Sequence, residues 1–108
     1  MSNRMIEKLQ AYLQEDPNDT FSKFALALEY KKIGDVSRAI ELFEEIHEAN
    51  PDYVGIYYHL GKLYDQQDDN KKAIATYKEG IEVATQKDES KALSELKSAL
   101  MELELNDE

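Results

Sequence analysis

The chain has 108 residues, 42% apolar and 33% charged, with no cysteine and a formal net charge of −10. That is the size of one small folded domain and too apolar for a disordered segment. The acidity disfavours nucleic acid and anionic membrane surfaces, which both need a basic footprint, and the missing thiols exclude disulfides and thiolate metal sites and fit a cytoplasmic setting.

With two prolines and four glycines, helix is favoured over sheet. The first ten residues, MSNRMIEKLQ, lack the apolar core of a secretory signal, and no apolar run is long enough to span a bilayer. The first predicted helix covers residues 2–14, with Met5, Ile6, Leu9, Tyr12 and Leu13 as its apolar positions.

From residue 20 onward the chain repeats. Residues 20–53 align without gaps on 54–87, an offset of 34. Identities are Leu26/Leu60, Tyr30/Tyr64, Asp35/Asp69, Ala39/Ala73, Ile40/Ile74, Glu45/Glu79 and Glu48/Glu82. Phe24/Tyr58, Ala27/Gly61, Arg38/Lys72 and Phe43/Tyr77 are conservative. Each unit reads as two amphipathic helices joined by a short turn. The first carries stripes Leu26, Ala27, Tyr30 and Ala39, Ile40, Phe43, Ile46. The second carries Tyr57, Leu60, Gly61, Tyr64 and Ala73, Ile74, Tyr77, Ile81. Gly34 suits a left-handed helix end with Asp35 capping the next helix, and Asp68, Asp69 and Asn70 take that place in the second unit. Asn50-Pro51 ends a helix, and Asp52 is the expected cap of the following one. Small residues Ala27, Gly61, Ala39 and Ala73 mark close helix approach; Tyr30, Tyr64, Phe43 and Tyr77 fill wider gaps.

Tyr57-x2-Leu60-Gly61-x2-Tyr64 followed by Ala73-x3-Tyr77, and Leu26-Ala27-x2-Tyr30 followed by Ala39-x3-Phe43 and Pro51, resemble the tetratricopeptide repeat. Two positions depart: Lys23 stands where a large residue is expected, and Thr85 where the second unit should end in proline. Pro17 lies 34 residues before Pro51, so the N-terminal helix takes the place of a second helix from a half repeat. Near the other end Ala92, Leu93, Leu96, Ala99, Leu100 and Leu103 form one stripe, off the 34-residue register, as in a capping helix over 88–105; residues 106–108 are expected to fray. The resemblance implies an all-α fold of six helices, antiparallel pairs winding into a short right-handed superhelix within one domain.

Catalytic and metal readings concentrate on HLGKLYDQQDDN, residues 59–70. His59 has Lys62 and Leu63 at the helical spacings where a second ligand would sit, and the aspartates lack the pattern of a calcium loop. His47 has no second histidine in helical reach. No nucleophile elbow or phosphate cradle is present. We therefore expect no cofactor, no metal and no catalytic site; a metal-dependent enzyme is the least favoured class.

What the resemblance implies is a non-enzymatic scaffold whose first helices line a concave groove. The residues one step round from the core stripes are then Phe21, Phe24, Leu28 and Lys31, and Gly55, Tyr58, His59, Lys62 and Asp65. Phe24 and Leu28 read equally well as core, because Lys23 leaves a large position vacant. Gly55, placed within a helix, suggests close backbone approach. The two-carboxylate clamp that some family members use for acidic C-terminal tails has Phe24, Leu28, Tyr58 and Lys62 at its positions and is missing, so the expected partner is another protein's peptide or helix. The alternative is a homodimer through Met5, Ile6, Leu9 and Tyr12.

Overall fold

The computed structural model describes residues 3–106. Its helices are α1 (Arg4–Glu15), α2 (Thr20–Lys32), α3 (Val36–Ala49), α4 (Gly55–Gln66), α5 (Asn70–Gln86) and α6 (Ser90–Asn106), with no strand among the described residues. The chain divides into two compact units at the Asn50–Pro51 bond.

In the first unit α2 packs on α3 and α1 packs on α2. Leu9, Leu26, Ala27, Tyr30, Ala39, Ile40, Phe43 and Ile46 are its buried apolar residues. The hairpin between α2 and α3 is made by the residues the repeat singled out. Gly34 has φ +85, and the amides of Gly34 and Asp35 return to the carbonyls of Lys31 and Tyr30 at 3.1 and 2.9 Å. This pair of bonds closes the helix end around a left-handed residue, for which glycine lacks the Cβ penalty. Asp35 then accepts from the Arg38 amide and starts α3. The N-terminal helix begins two residues later than the 2–14 expectation, capped by Asn3, whose Oδ1 accepts from the Ile6 amide at 3.1 Å; Ser2 lies outside the described residues.

The second unit repeats this logic with different residues. Asp68, at φ 61, replaces the glycine, and the amides of Asp68 and Asp69 bond the carbonyls of Asp65 and Tyr64. Asp69 accepts from the Lys72 amide. Over each hairpin a cation sits on a tyrosine ring: Arg38 over Tyr30 and Lys72 over Tyr64, both 5.4 Å from the centroid. Arg38/Lys72 and Tyr30/Tyr64 are repeat-equivalent, so the contact recurs with the period.

Four further expectations change. Asp52 does not cap α4: Val54 occupies the N-cap, with no side-chain bond, and the Asp52 carbonyl instead accepts from Lys87 Nζ at 3.0 Å. Gly55 is the exposed first residue of α4 rather than an interior one. The α5 stripe runs through Ala73, Tyr77, Gly80 and Ala84, with Ile74 and Ile81 half-buried, because those four share one side at helical spacing. Asn106 closes α6 as a helical residue; the rest of the expected frayed tail, 107–108, lies outside the described residues.

The off-register last helix has a covalent cause. Without a proline at position 85, α5 continues to Gln86 and spans 17 residues against 14 in α3. It ends on a third left-handed residue, Asp88 at φ 55, whose amide and that of Glu89 bond the carbonyls of Thr85 and Ala84. Helix α6 then lies on α5 and, less extensively, on α4, burying Leu96, Ala99 and Leu103.

Candidate partner-binding surfaces

In the first unit the predicted residues lie along α2. Phe21 is 72% exposed at its first turn. Phe24 is half-buried and meets the Phe43 ring edge-on, centroids 5.7 Å apart at 69°. That contact places most of Phe24 in the core, the second of its two sequence readings, because Lys23 turns its ammonium to Glu45 at 3.2 Å. Leu28 and Lys31 are half-buried. On α1, Met5 and Tyr12 are exposed, Ile6 is half-buried, and Leu9 is a core residue. Leu9 therefore belongs to the packing against α2 and leaves the exposed stripe.

In the second unit Tyr58, His59, Lys62 and Asp65 follow one another along α4, all half-buried. The Tyr58 and His59 rings meet edge-on at 5.8 Å and 81°. Lys62 Nζ stands 5.6 Å from the Tyr58 ring centroid, a contact open to solvent and worth on the order of 0.5–1 kcal/mol. One turn on, Lys62 and Asp65 border a cavity of about 30 Å³ with Tyr77, Ala99, Glu102, Leu103 and Asn106. The α4 edge is thus a run of aromatic, cationic and anionic groups that continues onto α6.

Glu102, Asn106 and the Tyr77 hydroxyl are the members that sequence reasoning missed. Tyr77 was assigned to packing by its repeat position, and the α6 residues could be placed only once the length of α5 was known. The Tyr77 phenol is held well above the usual range for tyrosine, first by burial and then by the carboxylate of Asp65. It stays a neutral hydrogen-bonding group beside the α4 edge. Among the described residues no three His, Cys, Asp or Glu side chains converge as metal ligands, and no helix is long and apolar enough to cross a membrane.

A family model for the tetratricopeptide repeat matches residues 33–99. A tetratricopeptide repeat domain protein from Salinibacter ruber is similar in sequence and fold. Its solution structure is 53% identical, covering 82% of this chain and 90% of that one with a TM-score of 0.77. Its crystal structure is 52% identical, covering 81% and 97% with a TM-score of 0.78. The crystal structure of PcrH in complex with the chaperone binding region of PopD superimposes with a TM-score of 0.88 over 95% of this chain and 78% of that one. Its identity is 12%, and the likeness is of fold alone. No curated protein sequence matches the chain significantly.

Proposed function

Because the chain belongs to the tetratricopeptide repeat family, whose members generally act as protein–protein interaction modules, we propose that it is a non-enzymatic scaffold. Its α4 edge then takes a segment of another protein. The observation that carries this reading is the Tyr58–Lys62 pair: an aromatic face and an ammonium group held together on a helix surface, with Asp65 one turn away. Such a surface offers apolar contact to a side chain and a donor to a backbone carbonyl or carboxylate of a peptide or helix. That PcrH, a protein of the same fold, is crystallised with a segment of PopD supports a protein segment as the class of ligand. By family resemblance the exposed side of α2, from Phe21 to Lys31, contributes a second contact surface. Phe21 is its accessible anchor and Phe24 a mainly structural one.

The test compares wild type with a Tyr58→Ala, Lys62→Ala double variant for capture of proteins from the native cell, followed by titration of the captured partner. We expect affinity to fall by about 100-fold, with helicity and melting temperature unchanged. Equal affinity in the two proteins, or loss of binding only together with loss of fold, defeats the assignment.

A further inference from the structure

We infer that α1 is a self-association surface through which two copies of the chain pair antiparallel about a two-fold axis. This inference does not rest on the α4 reading. Met5 and Tyr12 are 51% and 52% exposed, whereas Ala39 and Ile46, the residues 34 positions later, are 0% and 1% exposed. Positions that are buried in the first full repeat are thus open on α1, whose principal packing partner among the described residues is α2. An open depression along this side is lined by Arg4, Met5, Glu7, Lys8 and Ala11.

Charge selects the occupant. Arg4, Lys8, Ala11 and Glu15 are all exposed and fall on one side of α1 at helical spacing. The row runs from cations at its N-terminal end to a carboxylate at its C-terminal end, with a small residue between that lets a second helix approach. Taken as a row, it complements itself best antiparallel, with the exposed Glu7 beside it at the N-terminal end. Antiparallel pairing lays Arg4 and Lys8 of each copy over the Tyr12–Glu15 end of the other, while parallel pairing opposes like charges. Antiparallel helices also oppose their macrodipoles favourably. Met5 and Tyr12 of both copies border the charged row on one side and supply apolar area. A contact of one 12-residue helix per copy is small, and the net charge of −10 opposes association, so half-association falls at about 100 µM or above.

Sedimentation equilibrium from about 10 µM to about 1 mM tests the idea. Arg4→Glu and Glu15→Arg, each alone, should weaken the dimer roughly tenfold, because each reversal creates two like-charge contacts. Mixing the two variants in equal amounts should restore wild-type association, since every cross-pair then joins opposite charges; both changes in one chain should restore it too. Both side chains are exposed, so circular dichroism and melting should not change. A wild type that stays monomeric throughout overturns the inference. So do single reversals that leave the dissociation constant within about twofold of wild type, or a mixture as weak as its components.

Discussion

Lys23 of α2 and Glu45 of α3 form an ion pair at 3.2 Å, and the same two repeat positions in the second unit hold Tyr57 and Glu79, joined by a hydrogen bond from the phenol at 3.2 Å. One link between paired helices is thus made twice with different chemistry. The tyrosine does more, since its one hydroxyl proton is shared between that carboxylate and the carbonyl of Pro51, and its ring is fully buried. The lysine spans the gap with a stem that is mostly covered and an ammonium that reaches an exposed carboxylate. The position that departs from the repeat pattern keeps its cross-helix contact.

The two links should differ in strength. Tyr57→Phe loses hydrogen bonds to a carboxylate and a carbonyl and should cost about 1–2 kcal/mol. Glu45→Gln removes the charge from a half-exposed partner and should cost at most about 0.5 kcal/mol. Urea unfolding of the two variants at neutral pH decides. An equal cost would show that the ion pair and the buried phenol stabilise their hairpins alike.

Two glycines of the second unit should resist substitution for steric reasons. A Cβ on Gly61 would lie 2.3 Å from the Tyr77 ring, and one on Gly80 would lie 2.5 Å from the Cβ of Tyr57. Tyr77 and Tyr57 are themselves buried, so either must shift within the core to admit the new atom. Gly61→Ala and Gly80→Ala should each destabilise by about 1–3 kcal/mol, despite the gain of up to about 1 kcal/mol in helix propensity. Gly80 should be the worse, because its obstacle is close to the backbone whereas the Tyr77 ring can tilt. Thermal melts of the pair provide the comparison, and a stabilised alanine variant at either position would contradict the packing described.

The turns give a prediction of opposite sign. Asp68 holds a φ of 61 where Gly34 holds 85. Asp68→Gly relieves the left-handed strain at the cost of a more flexible unfolded chain, and should stabilise by about 0.5 kcal/mol. Gly34→Ala meets no atom within 4 Å, so its loss of about 1 kcal/mol would be backbone strain alone. Chemical denaturation of both variants separates the effects, because no packing contact changes at position 34.

The paired helices and their turns were legible because the 34-residue period fixes both at once: Gly34, Asp35 and Asp69 do what their types and positions announce. What the period could not carry is what breaks it. Thr85 in place of a proline lets α5 run on, and that decides where α6 lies and which of its residues reach Lys62 and Asp65. Asp52 misled because capping depends on the entry path, and α4 enters through bonds from the Ile56 and Tyr57 amides to the Tyr53 and Val54 carbonyls. For the candidate surface, spacing alone marked Tyr58, Lys62 and Asp65 as off the core stripe. Phe24 stayed open because its partner, Phe43, lies 19 residues away on another helix.

Alkaline pH should unfold the protein through its buried tyrosines. Burial, and then the carboxylate of Glu79, raise the Tyr57 phenol above its usual range; burial and then Asp65 do so for Tyr77. A raised folded-state pKa means that the unfolded chain releases these protons first, at about pH 10. The folded state binds more protons than the unfolded state above that point, so stability falls as pH rises, and below it the contribution is complete. The urea midpoint should therefore hold steady toward pH 9 and drop beyond about pH 10. The Tyr57→Phe variant, which has no phenol to ionise there, should lose less over the same interval, so its deficit against wild type narrows. A deficit that stays constant across the alkaline range would mean that Tyr57 ionises with the same pKa folded and unfolded, and the hydrogen bond to Glu79 would then contribute nothing to the pH response.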